Sequence, residues 1–191
     1  MPDVTFLQQA LRPFATIPPE QMELLRRGIR VVEATKGTVL QRQGEHADWL
    51  GVLERGLVRM FRNLDGREIN LGFELDGGFV GAYEAYMQQR PAQYSVQALE
   101  EARIWQFDRT LLDGLLAGHP CWREMSGRIA EAELARKLDK ELEARTQSPE
   151  ERYTTLVRTG SPLVRRVPQY HLASYLGIAP ETLSRIRARL T

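Results

Sequence analysis

The chain has 191 residues, 42% of them hydrophobic and 27% charged, with a formal net charge of +1 and a single cysteine. Cys121 alone excludes an intramolecular disulfide framework, a cysteine-rich zinc site and a four-cysteine iron–sulfur cluster. No apolar run approaches the roughly 18–20 residues of a membrane span, and MPDVTFLQQALRPF lacks a signal peptide's basic start and apolar core; a soluble cytoplasmic protein without a metal site is expected.

Residues 3–30 read as two short helices, one carrying Phe6, Leu7, Leu11 and Phe14, the next opened by Pro18-Pro19-Glu20. From Val31 the period changes. Short runs rich in β-branched and aromatic residues begin at Val31, Thr38, Trp49, Leu57, Ile69, Phe79, Tyr94 and Arg103. Lys36-Gly37, Gly44-Glu45, Arg55-Gly56, Asp65-Gly66 and Gly77-Gly78 punctuate them. Eight short strands so spaced predict a closed or rolled antiparallel barrel rather than βαβ units. Thr110–Leu116 is a turn-rich helical piece, and Pro120 then opens a helix reaching to about Arg145. Trp122, Met125, Ile129, Leu134 and Leu138 stripe that helix. Two readings follow, an ordinary core helix or a dimer seam, and the lack of another long helix to cover it favours the seam.

Ser148-Pro149-Glu150-Glu151 is a helix start with its cap, so a boundary is expected at residues 146–148. Beyond it the charge changes sign: residues 151–191 hold seven arginines against two glutamates, while the preceding 150 residues are net acidic. Within this basic segment, residues 169–190 fit a helix-turn-helix. Leu172 and Leu176 face inward, Ala173 is small where two helices cross, Gly177 ends the first helix and Ile178 plugs the turn. Pro180 opens the second helix, with Leu183 and Ile186 inward and Glu181, Thr182, Ser184, Arg185, Arg187 and Arg189 outward. Arginine donates two hydrogen bonds to guanine, glutamate accepts from the cytosine amino group, and small hydroxyls reach phosphates, so this face suits a major groove.

With these residues the chain resembles the Crp/Fnr family of bacterial transcription regulators over nearly its whole length. Gly37, Gly44-Glu45, Gly56 and Phe79-Val80-Gly81 stand where that family has its turn glycines and the start of its ligand loop. The resemblance implies an α+β fold in three parts. An antiparallel, jelly-roll-like β-roll of the cyclic-nucleotide-binding type would span residues 1–118, a long dimerisation helix 119–147, and a small all-α helix-turn-helix unit 148–191. Glu181 and Arg185 match base-contacting positions and Thr182 a phosphate-contacting one. Pro180 replaces a base-contacting arginine, so a different target sequence is expected. The sequence stops at Thr191, where many relatives continue into a wing; phosphate contacts would then fall to Gln169, Tyr170, Ser184, Arg187 and Arg189, with Arg165-Arg166 in support.

The ligand positions depart from the family's pattern. Counted from Phe79-Val80-Gly81, the ribose-binding glutamate falls on Ala82, the phosphate-binding Arg-Ser pair on Ala92-Gln93, and the base-touching pair on Lys137-Leu138. A cyclic phosphate buried without a guanidinium is an unpaired charge, so cAMP is not expected; Arg90 would replace it only through a two-residue loop shift. Phe79, Gly81, Ala82, Tyr83, Ala92 and Gln93 are the candidate effector-pocket residues, and the loop from Ala82 to Tyr94 either lines a pocket for a less polar ligand or is filled core. No cofactor is assigned: haem would have to use His46, His119 or His171, and the effector is unidentified. No nucleophile–base constellation or phosphate loop argues for an enzyme. The expectation is a homodimeric regulator on a palindromic DNA site, with RNA polymerase as a further partner implied by the resemblance. The alternative is a module of the same fold that no longer binds DNA.

Overall fold

The computed structural model describes residues 3–190; Met1, Pro2 and Thr191 lie outside it, and with Thr191 the expectation about a wing. Helices α1 (Thr5–Leu11) and α2 (Pro19–Gly28) come first, as expected. Pro19 sits in the first turn of α2, Glu20 follows it, and Arg26 and Arg27 close the last turn, matching the helix dipole at both ends.

All eight expected strands form: β1 (Arg30–Ala34), β2 (Val39–Gln41), β3 (Trp49–Arg55), β4 (Val58–Leu64), β5 (Arg67–Glu74), β6 (Phe79–Val80), β7 (Ser95–Ala98) and β8 (Ala102–Asp108). They make two four-stranded sheets, ordered β1-β8-β3-β6 and β2-β7-β4-β5, with every pairing antiparallel. The β4–β5 hairpin turns at Asp65-Gly66, both at positive φ (51° and 88°), the backbone that a two-residue turn matched to strand twist demands. Leu53, Val58, Val80, Val96 and Ile104 fill the space between the sheets.

One element departs from the expected loop: Tyr83–Gln88 is a helix, α3, ended by Gln89 in the left-handed region. Its Ala85 and Tyr86 pack with Ala47, Ala82 and Ala92, small side chains that let the helix lie close to the roll. Next come α4 (Arg109–Gly118), capped by the Asp108 carboxylate on the Leu111 N–H, and the 27-residue α5 (Pro120–Thr146). The imidazole of His119 accepts from the Cys121 N–H and so caps α5.

Helix α5 has two environments. Trp122 is fully buried, its indole N–H donating to Gln21 Oε1 at 2.9 Å, and Met125 and Cys121 lie with it among Leu7, Leu11, Leu25 and Trp105. The seam expected from Trp122 to Leu138 is therefore corrected at its start: Trp122 and Met125 belong to the chain's own core, and Ile129 is half covered by it. Only from Leu134 onward is the stripe bare, with Leu134, Leu138 and Leu142 each more than half exposed.

The C-terminal part is helical: α6 (Pro149–Arg158), α7 (Leu163–Arg166), α8 (Gln169–Leu176) and α9 (Pro180–Leu190). Ser148 and Glu151 form the expected capping box of α6. The four-residue α7 was not expected. These helices share a core with the sheet: Tyr153, Val167, Leu172, Leu176, Leu183 and Ile186 pack with Leu57, Phe73 and Leu99.

Candidate nucleic-acid interface and cavity

The turn between α8 and α9 is built as the sequence requires. Gly177 adopts φ 78°, Ile178 N–H returns to Ala173 O at 3.0 Å, and Ala173, Leu183 and Ile186 are buried. That skeleton leaves Pro180, Glu181, Ser184, Arg185, Arg187 and Arg189 exposed on α9, with Thr182 half-buried. The guanidinium of Arg185 donates to Thr182 Oγ1 at 3.3 Å, which orients it along the helix. Arg189 reaches back to Glu150 Oε2 at 2.6 Å. On α8, Tyr170 is exposed, whereas Gln169 spends its amide on Pro180 O at 3.0 Å and braces the turn.

The reverse side of α8 faces the β-roll rather than solvent. His171 is 4% exposed, and its Nδ1 accepts from Arg59 Nη1 at 3.1 Å, with Asn70 Nδ2 at 3.2 Å. Arg59 lies over the Phe61 ring, donates to Gln97 Oε1 and pairs with Glu68 Oε2 at 2.7 Å. Burial, and then the Arg59 charge, hold the His171 pKa down to about 4, so the ring is a neutral acceptor at neutral pH. Arg166 is locked too: it donates to Asp76, Glu100 and the carbonyl of Gly56 at 2.7–2.9 Å, and the two carboxylates raise its pKa. It was expected to support phosphate contacts; it holds the helical unit to the roll instead. Sequence reasoning missed Arg59, Asn70 and His171 as a unit because their partners lie about 100 residues apart.

A cavity of about 610 Å³ lies between the roll and α5. Of the six candidate pocket residues, Phe79, Gly81 and Tyr83 line it; Ala82 and Ala92 are buried beside α3, and Gln93 is exposed, so none of these three belongs to the lining. Helix α3 sets this division: Tyr83 and Glu84 at its start line the cavity, while Ala82, Ala85 and Tyr86 pack with Ala47 and Ala92. Arg90 is also absent from the lining. The single guanidinium there is that of Arg136, which pairs with Glu74 at 2.8 Å and with Glu133. Glu74 is buried, and desolvation raises its pKa although Arg136 opposes this. Tyr94 donates to Glu84 at 3.1 Å across the same cavity. The lining thus sets three carboxylates, Glu74, Glu84 and Glu133, against Arg136, Lys137 and Lys140, and its one guanidinium is already paired, so a cyclic phosphate finds no uncommitted arginine for a bidentate contact.

This order of β-roll, long helix and C-terminal helical unit is the fold of solved structures that include a member of the Crp/Fnr family. Residues 31–119 match the family model of the cyclic nucleotide-binding domain. FixK2 from Bradyrhizobium japonicum is similar in structure at 20% identity, with 85% of this chain and 84% of that one covered and a TM-score of 0.71. CLP of Xanthomonas campestris, a global regulator responsive to c-di-GMP, shares 20% identity over 91% of both chains at a TM-score of 0.70. A Crp/Fnr-family structure from Eubacterium rectale shares 14% identity over 91% of this chain and 83% of that one, at a TM-score of 0.70. No curated protein matches the chain in sequence. None of the helices among the described residues is long and apolar enough to cross a membrane.

Proposed function

We propose that the chain is a sequence-specific, DNA-binding transcription regulator that acts in the cytoplasm as a homodimer. Residues 1–118 form its effector-responsive roll, 119–147 its dimer helix and 148–191 its reader. The observation that carries this reading is α9: a helix whose buried Leu183 and Ile186 leave Glu181, Ser184, Arg185 and Arg187 outward, on a turn that presents it at the surface. These are groups that read base edges and hold phosphates. Gln169 and Tyr170 at the start of α8, and Pro180, Thr182 and Arg189 on α9, flank that face. Pairing of two chains along Leu134 and Leu138 would set two reading helices on successive major grooves, about 10 base pairs apart. Phe79, Gly81 and Tyr83 border the effector cavity, which selects against cAMP because its one guanidinium, Arg136, is already held by Glu74 and Glu133.

The test is selection of bound sites from random duplex DNA with the purified full chain at moderate salt. A palindrome with half-sites about one helical turn apart is expected. Recovery of unenriched sequence from a folded protein, with and without the cavity ligand proposed below, would overturn the reading.

A further inference from the structure

The cavity has a polarity along its length. Its floor is apolar, with Leu50, Val52, Phe79, Phe107, Leu112 and Ile129, and it follows α5 from Met125 to Lys140. Fifteen residues of helix make that about 22 Å. The charged groups gather at the Lys140 end. There Arg136 is already held by Glu74 and Glu133. Lys140 is half-buried and forms no ion pair or hydrogen bond with any described residue, and burial lowers its pKa. The charges of Glu74, Glu133 and Glu143 favour its ammonium and that of Arg136 disfavours it, none of them within ion-pair distance. A desolvated ammonium at the end of a long apolar groove is costly unless an anion meets it.

We propose that the groove binds an organic monocarboxylate with an elongated apolar body, the carboxylate against Lys140 Nζ and the body along the floor toward Met125. This deepens the effector reading and rests on it only for the consequence at DNA. The carboxylates set the ligand's charge. Glu74, Glu84 and Glu133 line the same cavity with Arg136, Lys137 and Lys140; Arg136 is already paired, Lys137 is exposed to solvent, and Glu84 Oε1 is buried without a hydrogen-bond partner, so a second acidic group within the groove is repelled. A neutral alcohol of equal length would leave the ammonium unmatched. The volume of about 610 Å³ lies in the range of small-molecule sites, which are concave, mostly apolar and carry few polar groups.

Isothermal titration of the full chain with decanoate, 1-decanol and cAMP tests this. Decanoate is expected to bind at least tenfold more tightly than decanol, and cAMP to give no heat. Lys140→Met should fold normally and lose about tenfold or more in decanoate affinity, since a charge-assisted hydrogen bond is removed. Lys140→Arg should retain affinity within about threefold. Equal binding of decanol and decanoate, or undiminished decanoate binding by Lys140→Met, would overturn the proposal; so would tight binding of cAMP. Site selection from random DNA, run on the same preparation, separates the two readings: a recovered palindrome with no decanoate binding sinks the ligand alone, and decanoate binding without any selected site sinks the regulator.

Discussion

His171 shows how one side chain can tie a reading unit to the body that governs it. The neighbouring Tyr170 faces solvent, while His171 Nδ1 must be an unprotonated acceptor because Arg59 donates to it. Its folded pKa, about 4, lies below its unfolded value near 6.5. Below pH 6.5 the unfolded chain takes up a proton that the native ring refuses, so stability falls as pH drops from about 6.5 toward 4, where the native ring protonates. Arg59 from β4, Asn70 and Glu68 from β5, and Ser174 from α8 surround this ring or its neighbours, and of these only Glu68 favours the charged form. The expected loss attributable to His171 approaches about 3 kcal/mol at pH 4. Urea midpoints of the wild type and His171→Gln, measured between pH 7 and pH 5, should converge as pH falls; parallel curves would refute this role. Neither burial nor partners were legible here from sequence, where His171 enters only as one of three histidines that a haem would have to use.

At the scale of elements, α5 carries two jobs on one periodic pattern. Its apolar positions repeat along the helix, but the N-terminal ones meet α1, α2 and the sheet, whereas Leu134, Leu138 and Leu142 belong to none of the buried clusters among the described residues. Three leucines at i, i+4 and i+8, more than half exposed, form a contiguous ridge, the geometry of a helix-pair seam. Ion pairs such as Glu124–Arg128 and Glu141–Arg145 stabilise the exposed faces beside it. Burying one leucine is worth about 1.5–3 kcal/mol, and a symmetric pair carries each twice. Leu138→Glu should therefore raise the dimer dissociation constant by about 100-fold or more, seen by sedimentation as monomer at micromolar concentration. Unchanged mass would move the seam elsewhere. Sequence reading found the stripe and its length but placed Trp122 and Met125 on it, because periodicity reports an apolar face without saying what covers it.

For the whole molecule, the arrangement of reader against roll is decided by Arg166 and by the shared core. Leu57, Phe73 and Leu99 from the sheet side close over Tyr153, Val167 and Leu172 from the helical side, and Arg166 pins the rim at Gly56, Asp76 and Glu100. The cavity borders the same roll through β5, whose Glu74 grips Arg136 on α5. Cavity, long helix and reader thus share strands, the physical requirement for an occupant of one to bias the other. Arg166→Ala should remove about 1.5–3 kcal/mol from the docking, because it leaves two carboxylates without their cation. Hydrogen exchange of α7–α9 should accelerate by roughly 10- to 100-fold while the amides of β3 and β8 stay protected. Equal acceleration everywhere would mean that reader and roll unfold as one unit.

Local chemistry was readable in the chain itself: turn residues such as Asp65-Gly66, caps such as Ser148, the small Ala173 and the chain-reversing Gly177 each constrain their own few neighbours. The eight strands, the long helix and the helix-turn-helix follow from such constraints, since backbone preference and hydrophobic period act over a few residues. The tertiary structure alone decided which cations remain free and which faces remain bare. Arg166 and Arg185 sit in similar basic runs, yet one is consumed by acids 66 and 90 residues away and the other stands in solvent. An ion pair across such a separation leaves no mark in the local pattern, because its energy depends on a distance that only the packed core sets.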